Sequence, residues 1–472
     1  MPACSHPPWD QSLHRTRGAS LVHAFERVAT NSGARTPGVD RVTVTHIRSR
    51  IGVEVFLNDV REQVKARTFQ PMPVRQVMIP KASGKMRALG IPTVTDRVVQ
   101  AALKLVLEPI FEADFLPCSY GFRPNRRAQD AVADIQHITT RGYEWVLEAD
   151  IQSCFDTIDH VALMDRIRDR IKDKKVLALI KAFLKAGVMT TTGERDNTWT
   201  GTPQGGILSP LLANIALSAL DEYFDRQWRQ SMSTWHQRDR RRRQGLGCWK
   251  LIRYADDFVV CVKGEQQHAE QLRDEVAEVL APLGLRLAPE KTRVVSIDEG
   301  FDFLGFHIRR MRKRGTMDLH FVYTVPSRKA TAAIRERMRW HTRRSTLHED
   351  LDERLRHVNR SLQGWANYFR HGVSNAVFSQ IDYHAWRRIG TWIRRKHGRI
   401  SWREVQHRFC DQGWRYAHNG VVFRGASSVA VTRYRYRYRG TRIPTPWTTT
   451  RPATGGSAQT SVDIGADCFS GR

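Results

Sequence analysis

The chain has 472 residues, with 76 Lys and Arg against 48 Asp and Glu, a formal net charge of +28. That length exceeds one average domain, and a hydrophobic content of 41% supports a sizeable core, which excludes global disorder. No run of about 18 apolar residues and no basic-then-apolar leader is present, so a cytoplasmic protein with a polyanionic partner is expected.

In chain order, residues 1–35 read as mostly helical and polar. The segment PMPVRQVMIPKASGKMRALG (71–90) reads as two short strands joined by a basic Gly-containing turn. Val98, Val99, Ala102, Leu103, Val106, Leu107, Ile110 and Phe111 recur at helical spacing over 94–113. WVLEAD (145–150) reads as a strand with an acidic end. An apolar helix is predicted over 205–224, after a Thr-Pro-Gln-Gly-Gly loop. The charge run RDRRRRQG (238–245) reads as a solvated loop with the option of an RNA contact. KLIRYADDFVVCVK (250–263) reads as two apolar strands flanking an acidic turn, and 266–283 as an amphipathic helix.

The last third changes character. Leu351, Leu355, Val358, Leu362, Trp365 and Phe369 form one helical face, and Phe378, Ile381, Ala385, Ile389, Trp392 and Ile393 form a second. Residues 309–451 hold 32 Lys and Arg against 9 Asp and Glu, so 23 of the 28 surplus charges lie there. Nearly all are Arg, whose planar fork grips phosphate bidentately and stacks on bases. The run Arg433–Arg439 alternates Arg and Tyr, which would put the two types on opposite faces of a strand. From Pro452 the chain is Gly-, Ser- and Thr-rich and reads as disordered. The seven Cys are scattered with no CxxC pair, which argues against a disulfide framework or a zinc ribbon.

The sharpest chemical feature is Tyr254-Ala255-Asp256-Asp257 between the two strands. Adjacent residues of a strand point to opposite faces, so two neighbouring carboxylates share one locale only at a turn. Paired carboxylates repel unless a cation neutralises them, and hard oxygen donors favour Mg2+. Asp150, at the end of an apolar strand about a hundred residues earlier, supplies the second acid of a two-metal site. Asp156 and Asp159 read as turn and cap residues.

Several blocks then fall in a familiar order: ARTPGVD, PVRQVMIPKASGKMRALGIPTVTDRVVQ, YGFRPNRRAQDA, EADIQSCFDTIDH, GTPQGGILSPLLANIAL, RYADDFVV, LGLRLAPEKT, FDFLGF and LQGWANYFRHG. Over roughly residues 30–400 the chain resembles the reverse transcriptase/maturase encoded by bacterial group II introns. That resemblance implies an α+β right-hand polymerase: fingers, a palm with an antiparallel sheet, an α-helical thumb and a small C-terminal region. It implies fingers and palm over 1–305, a thumb/maturase domain over 306–400, a DNA-binding region over 401–451 and a tail over 452–472. Asp150, Asp256 and Asp257 match the polymerase carboxylates, with the Ile151 carbonyl as a further metal ligand. The cofactor implied is two Mg2+ ions, with Mn2+ as a substitute. Phe155 matches the aromatic gate against a ribose 2′-hydroxyl, and Gln204 the side chain lining the nascent pair. Lys81 and Arg87, with Lys85 as a weaker candidate, match residues that hold the triphosphate, and Lys291 matches a general acid. Nucleic-acid contacts are implied at Arg343, Arg344, Trp365, Tyr368, Arg370, Arg394 and Arg395. The partners implied are group II intron RNA, RNA template, DNA primer or target, and dNTPs, with no membrane, in a nucleoid-associated bacterial setting. Two departures stand out: DIQSCFD where many relatives have DIKGFFD, and no C-terminal Cys pairs of an HNH endonuclease. A splicing cofactor with decayed polymerase activity is the main alternative, and the intact YADD and Asp150 argue against it. A domesticated enzyme of the retron, diversity-generating or defence type is another; the maturase-like thumb argues against the first two of these. The oligomeric state stays open.

Overall fold

The computed structural model describes residues 12–432 and 434, apart from 81–83, 85, 190–194, 197–200, 202–204 and 313–318. Lys81, Lys85 and Gln204 therefore lie outside the described residues, as do the 452–472 tail and, except for Tyr434, the Arg-Tyr run.

The fingers carry a small sheet. Strands β1 (Val74–Pro80) and β2 (Met86–Ile91) pair antiparallel, as the segment's pattern predicts. Beyond β1 lie two short strands, β4 (Val188–Met189) and β5 (Arg195–Asp196), with β4 parallel to β1.

The palm sheet is fully antiparallel. It contains β3 (Trp145–Asp150), β6 (Cys248–Tyr254), β7 (Asp257–Lys263) and β8 (Arg293–Ser296), in the order β6-β7-β3-β8. Its residues alternate between two hydrophobic clusters because strand side chains point to opposite faces in turn. Leu147, Ala149, Leu251, Phe258, Val260 and Val262 pack into one cluster with the helices Val94–Glu112, Ser209–Ser231 and Gln266–Leu280. Val146, Ile252, Val259, Cys261 and Val295 enter the other, with the helix Ala128–Thr139 and the C-terminal helices. Both faces are thus covered, which explains the near-continuous apolar runs.

A second sheet follows: β9 (Phe301–Phe303), β10 (Phe306–Arg312) and β11 (His320–Pro326). The β9–β10 loop is Leu304-Gly305 with φ of 48° and 79°. Positive φ at both loop positions is the type I′ hairpin pattern, and Gly suits the second. The thumb helices begin after this sheet, at Arg328. The FDFLGF motif forms β9, the hairpin loop and the start of β10.

Three helices make the thumb: Arg328–His341, Leu351–Phe369 and Asn375–Lys396. The periodic residues Leu351, Leu355, Val358, Leu362 and Phe369 are buried, as are all six of the second helix. A small module follows, with the helix Trp402–Phe409 and strands β12 (Cys410–Asp411), β13 (Arg415–His418) and β14 (Val421–Val422). No described helix is long and apolar enough to cross a membrane.

The run RDRRRRQG is not a loop. Most of it belongs to the helix Trp235–Arg243, started by a capping box between Thr234 and Gln237. Arg238 and Arg241 turn inward over the rings of Trp228 and Trp249, at 5.6 and 4.8 Å, while Arg240, Arg242 and Arg243 face solvent.

Candidate active site

The palm sheet brings the three aspartates together. In the antiparallel register Asp150 lies directly opposite Asp257, and Tyr254 opposite Asp257 across the hairpin. Asp150 and Asp257 therefore share the sheet face that carries Val146 and Val259, turned toward β9 and β10. Asp256 occupies the two-residue turn. Ala255 has φ 58°, a left-handed value that costs a non-glycine residue roughly 1 kcal/mol or more. Positive φ at the first loop position alone is the type II′ pattern.

A buried network holds this strained turn. Arg253 and Asp221 form an ion pair with both side chains fully buried. Arg253 Nε donates to Asp221 Oδ1 at 2.7 Å, and its Nη1 donates to Asn214 Oδ1 at 3.0 Å and to the Ala255 carbonyl at 3.1 Å. Its Nη2 donates to Ser119 Oγ at 2.9 Å. Asn214 Nδ2 in turn donates to the Gly121 carbonyl at 2.8 Å. A Cβ on Gly121 would lie 2.3 Å from the Ala255 nitrogen, so only Gly lets residues 118–121 run against the turn. Arg253, Asn214 and Gly121 fall inside the conspicuous blocks of the sequence, but no motif assigns them a role there. The available signals were an Arg inside the apolar run CWKLIRY and an Asp inside LLANIALSALDEYF; a charge inside such a run is buried only if paired.

The carboxylates are crowded. Burial, and then the Asp150 charge, raises Asp256 above the usual carboxylate range. Arg87 on β2 lies near enough to oppose that rise, so the fingers strand reaches the site. Burial, then Asp256 and Asp150, push Asp257 up to about 7. Asp257 keeps solvent contact at the cleft, and the direction of its shift is what the chemistry uses. Lys291, from the PEKT segment, bonds its Nζ to Asp150 Oδ2, and that bond raises the Lys291 pKa. The ammonium holds the place of positive charge beside the carboxylates. Together Asp150, Asp257, Lys291, Glu148, Arg293 and Asp302 line a cavity of about 320 Å3.

Ile151 adds a backbone donor. Ala288 N–H donates to the Asp150 carbonyl at 2.8 Å, and Gln152 N–H donates to the Arg286 carbonyl at 2.9 Å. Ile151 faces Leu287 between those bonds, so its own carbonyl points away from that segment. Among the described residues no three His, Cys, Asp or Glu side chains gather closely enough to cage a metal by themselves. Two carboxylates completed by a carbonyl, water and phosphate oxygens are the donor set that Mg2+ typically takes. The residues fit a divalent cation held partly by its substrate.

Phe155 is buried at the start of a short helix, Cys154–Thr157, with Phe122 edge-on at 6.4 Å between centroids. Gly201, at φ 81°, packs on the Asp156 backbone, and its N–H donates to the Ile158 carbonyl at 2.8 Å. Gly201 is thus anchored on the segment that follows Phe155. Asp159 caps the helix His160–Arg170, its Oδ1 accepting from Ala162 N–H at 2.8 Å.

The expected nucleic-acid contacts divide. Arg343, Arg344 and Arg395 are exposed. Trp365 and Tyr368 are half-buried and pack against neighbouring rings. Trp365 lies against Phe369 and Phe378, at 4.9 and 5.6 Å between centroids. Tyr368 stacks on Phe306 at 5.7 Å and donates its hydroxyl to the Leu304 carbonyl at 2.9 Å. Arg370 ends the helix, and its carbonyl accepts from Thr432 N–H at 3.0 Å. Arg394 lies over Trp402 and donates to the Ile400 carbonyl at 2.8 Å.

The chain is similar to known proteins along most of its length. Residues 79–308 match the family described as reverse transcriptase (RNA-dependent DNA polymerase), and residues 331–410 match the group II intron maturase-specific domain. Reverse transcriptases of that family generally use divalent metal ions. Protein YkfC of Escherichia coli is 39% identical over 329 residues, covering 66% of this chain and 85% of that protein. The group II intron-encoded protein LtrA of Lactococcus lactis is 34% identical over 339 residues, covering 62% of this chain and 55% of its own length. Among solved structures, telomerase from Candida albicans matches at 14% identity and a TM-score of 0.39, covering 75% of this chain and 66% of that one. With a polymerase palm matched to one model and a helical thumb matched to the other, the chain belongs to the group II intron-encoded reverse transcriptase/maturase family.

Proposed function

We propose that this chain, an RNA-directed DNA polymerase with a maturase domain, copies RNA at Asp150, Asp256 and Asp257 with two Mg2+ ions. The observation that carries the reading is the opposition of Asp150 and Asp257 at the end of β3, beside the strained Asp256 turn. Bound Mg2+ would supply Lewis-acid activation of the primer 3′-hydroxyl and neutralise the leaving pyrophosphate. Asp150 and Asp256, with the Ile151 carbonyl, would hold both ions, and Asp257 would hold one or orient its neighbours. The primer 3′ oxygen forms a bond to the α-phosphorus of a dNTP as the bond to pyrophosphate breaks. Arg87, with Lys81, would grip the triphosphate, and Gln204 would line the nascent pair. Lys291, released from Asp150 when cations arrive, stands where it can give a proton to the departing pyrophosphate.

The thumb and the following module would clamp the intron RNA by charge and shape, and the splicing chemistry would remain the RNA's. Residues 401–451 would extend that surface toward a DNA target used for priming. Mn2+ would substitute for Mg2+.

Primer extension on an RNA template with dNTPs tests the polymerase reading. Product should form with Mg2+, vanish on chelation and return with Mn2+. Extension that persists after chelation would sink the metal assignment. In the same assay Phe155→Val opens the floor under the ribose C2′. Ribonucleotide incorporation relative to dNTP should rise at least about tenfold, the scale of a steric contact of ~1–3 kcal/mol. An unchanged ratio would reduce Phe155 to a core residue.

A further inference from the structure

The Asn375–Lys396 helix carries a column of aromatic rings with one end open. Trp386 lies parallel to Trp402, at 5.7 Å and 13°, and to Tyr416, at 5.7 Å and 18°. Tyr383, one turn earlier, lies parallel to Trp386 at 6.4 Å and 12°. Trp414 meets Trp386 edge-on at 5.8 Å, and its carbonyl accepts the Trp386 indole N–H at 2.8 Å. Gly390 makes the arrangement possible: a Cβ there would lie 2.3 Å from the Tyr416 hydroxyl and 2.4 Å from the Trp402 ring.

One end of the column is closed, since Tyr416 is fully buried. The other end is open, with Tyr383 62% and Trp414 45% exposed. A guanidinium flanks each part: Arg387 lies over Tyr383 at 6.0 Å and Arg394 over Trp402 at 5.1 Å. The helix carries five Lys and Arg against one acid, Asp382. That acid is occupied by the backbone N–H groups of Ala426 and Ser427, at 2.5 and 2.8 Å.

A scattered exposed aromatic needs no explanation, but a Tyr pre-aligned on a fixed ring stack beside cations is a different object. It offers one more π-face and a positive charge at once. An apolar protein surface would leave the Arg side chains unmatched. A continuous duplex has no free base face. An unpaired nucleotide has both a base to stack and a phosphate to pair. The helix lies inside the segment matched to the maturase-specific domain, which assigns the strand to RNA.

We propose that Tyr383 and Trp414 form a stacking platform for an unpaired nucleotide of the intron RNA, with Arg387 on its phosphate. The proposal rests on the maturase reading and lies outside the polymerase cleft. The test uses the full chain with its cleft filled by excess RNA–DNA template–primer. The probe is a 12-nucleotide single-stranded RNA carrying 4-thiouridine, beside its DNA counterpart and a blunt RNA duplex. Irradiation should crosslink the RNA to peptides containing Tyr383 or Trp414. Tyr383→Ala should weaken RNA binding about tenfold, the effect expected for losing one stacked base. Tyr383→Phe keeps the ring and should bind within about twofold of wild type. Primer extension should be unchanged in both variants. Wild-type affinity in Tyr383→Ala, an equal loss in Tyr383→Phe, or an equal loss for the blunt duplex would each overturn the platform. Tighter binding of the DNA counterpart than of the RNA would overturn the RNA assignment. Extension measured on the same preparations keeps a failed platform distinct from a failed polymerase.

Discussion

Asp256→Ala stops primer extension on RNA, lowering its rate on the order of a thousandfold or more, while RNA affinity and assistance to splicing at low Mg2+ stay close to wild type. The separation follows from placement. Asp256 stands in the β6–β7 turn, whereas the surplus cations lie mostly in residues 309–451. Loss of folding would imitate loss of chemistry, and the raised carboxylate pKa values tell the two apart. Asp257, pushed up to about 7, and Asp256, also raised, hold protons in the metal-free folded state that the unfolded chain releases near pH 4. The folded state therefore binds more protons than the unfolded state above that pH. This contribution to stability falls as pH rises from about 4 through 7. Asp256→Ala removes part of it. In chelator, the variant's Tm relative to wild type should rise between pH 5 and pH 8. A variant that extends primers normally, or that loses RNA binding along with extension while still folded, would contradict the assignment of roles.

Arg253→Met costs about 3–5 kcal/mol of stability, because it leaves Asp221 charged and unpaired in a fully buried site. The double variant Arg253→Met/Asp221→Leu removes both charges and should recover much of that loss, since apolar groups often replace a buried ion pair at little net cost. Recovery of stability should not bring recovery of activity. Arg253 also donates to the Ala255 carbonyl and to Ser119, and nothing apolar can replace those bonds. Without them the strained turn relaxes and Asp256 moves out of register with Asp150. The expected signature is a kcat at least about tenfold lower with KM for template–primer nearly unchanged, the loss of an interaction used in the transition state alone. Urea unfolding and steady-state extension on both variants make the comparison. A double variant that polymerises like wild type would reduce Arg253 to a structural residue.

The meeting of the three aspartates was largely legible in the sequence, for a definable reason. Asp150 and Asp257 end apolar strands, and strand period with a two-residue turn leaves few ways to arrange them. The helical faces of the thumb were legible too, because a period of 3.6 is written locally. What was not legible depended on distant partners. Trp365 and Tyr368 sit in a basic helix, and periodicity cannot say whether an aromatic on a helix meets RNA or a strand sixty residues away. Tyr368 meets β9–β10 through Phe306 and the Leu304 carbonyl, and Trp365 meets Phe369 and Phe378 of the thumb. The Arg253–Asp221 pair spans 32 positions and carries no local pattern. The Trp235–Arg243 helix was hidden because its start signal, Thr234 with Gln237, precedes the charge run that draws the eye.

One feature of the palm bears on how such a protein is inherited. The sheet face that carries Asp150 and Asp257 is covered, beyond them, by the same hydrophobic cluster that fills the thumb, running from Val146 and Val259 to Leu362, Trp392 and Tyr416. Gln129 and Gln136 add direct bonds across the seam, to the carbonyls of Tyr368 and Val322 at 3.0 and 2.8 Å. Copying and RNA-holding are thus not two beads on a string that recombination could exchange freely. A lineage that discarded the maturase half would lay bare the aspartate-bearing face of its own palm sheet, so the two trades are bound to be kept, altered or lost as one.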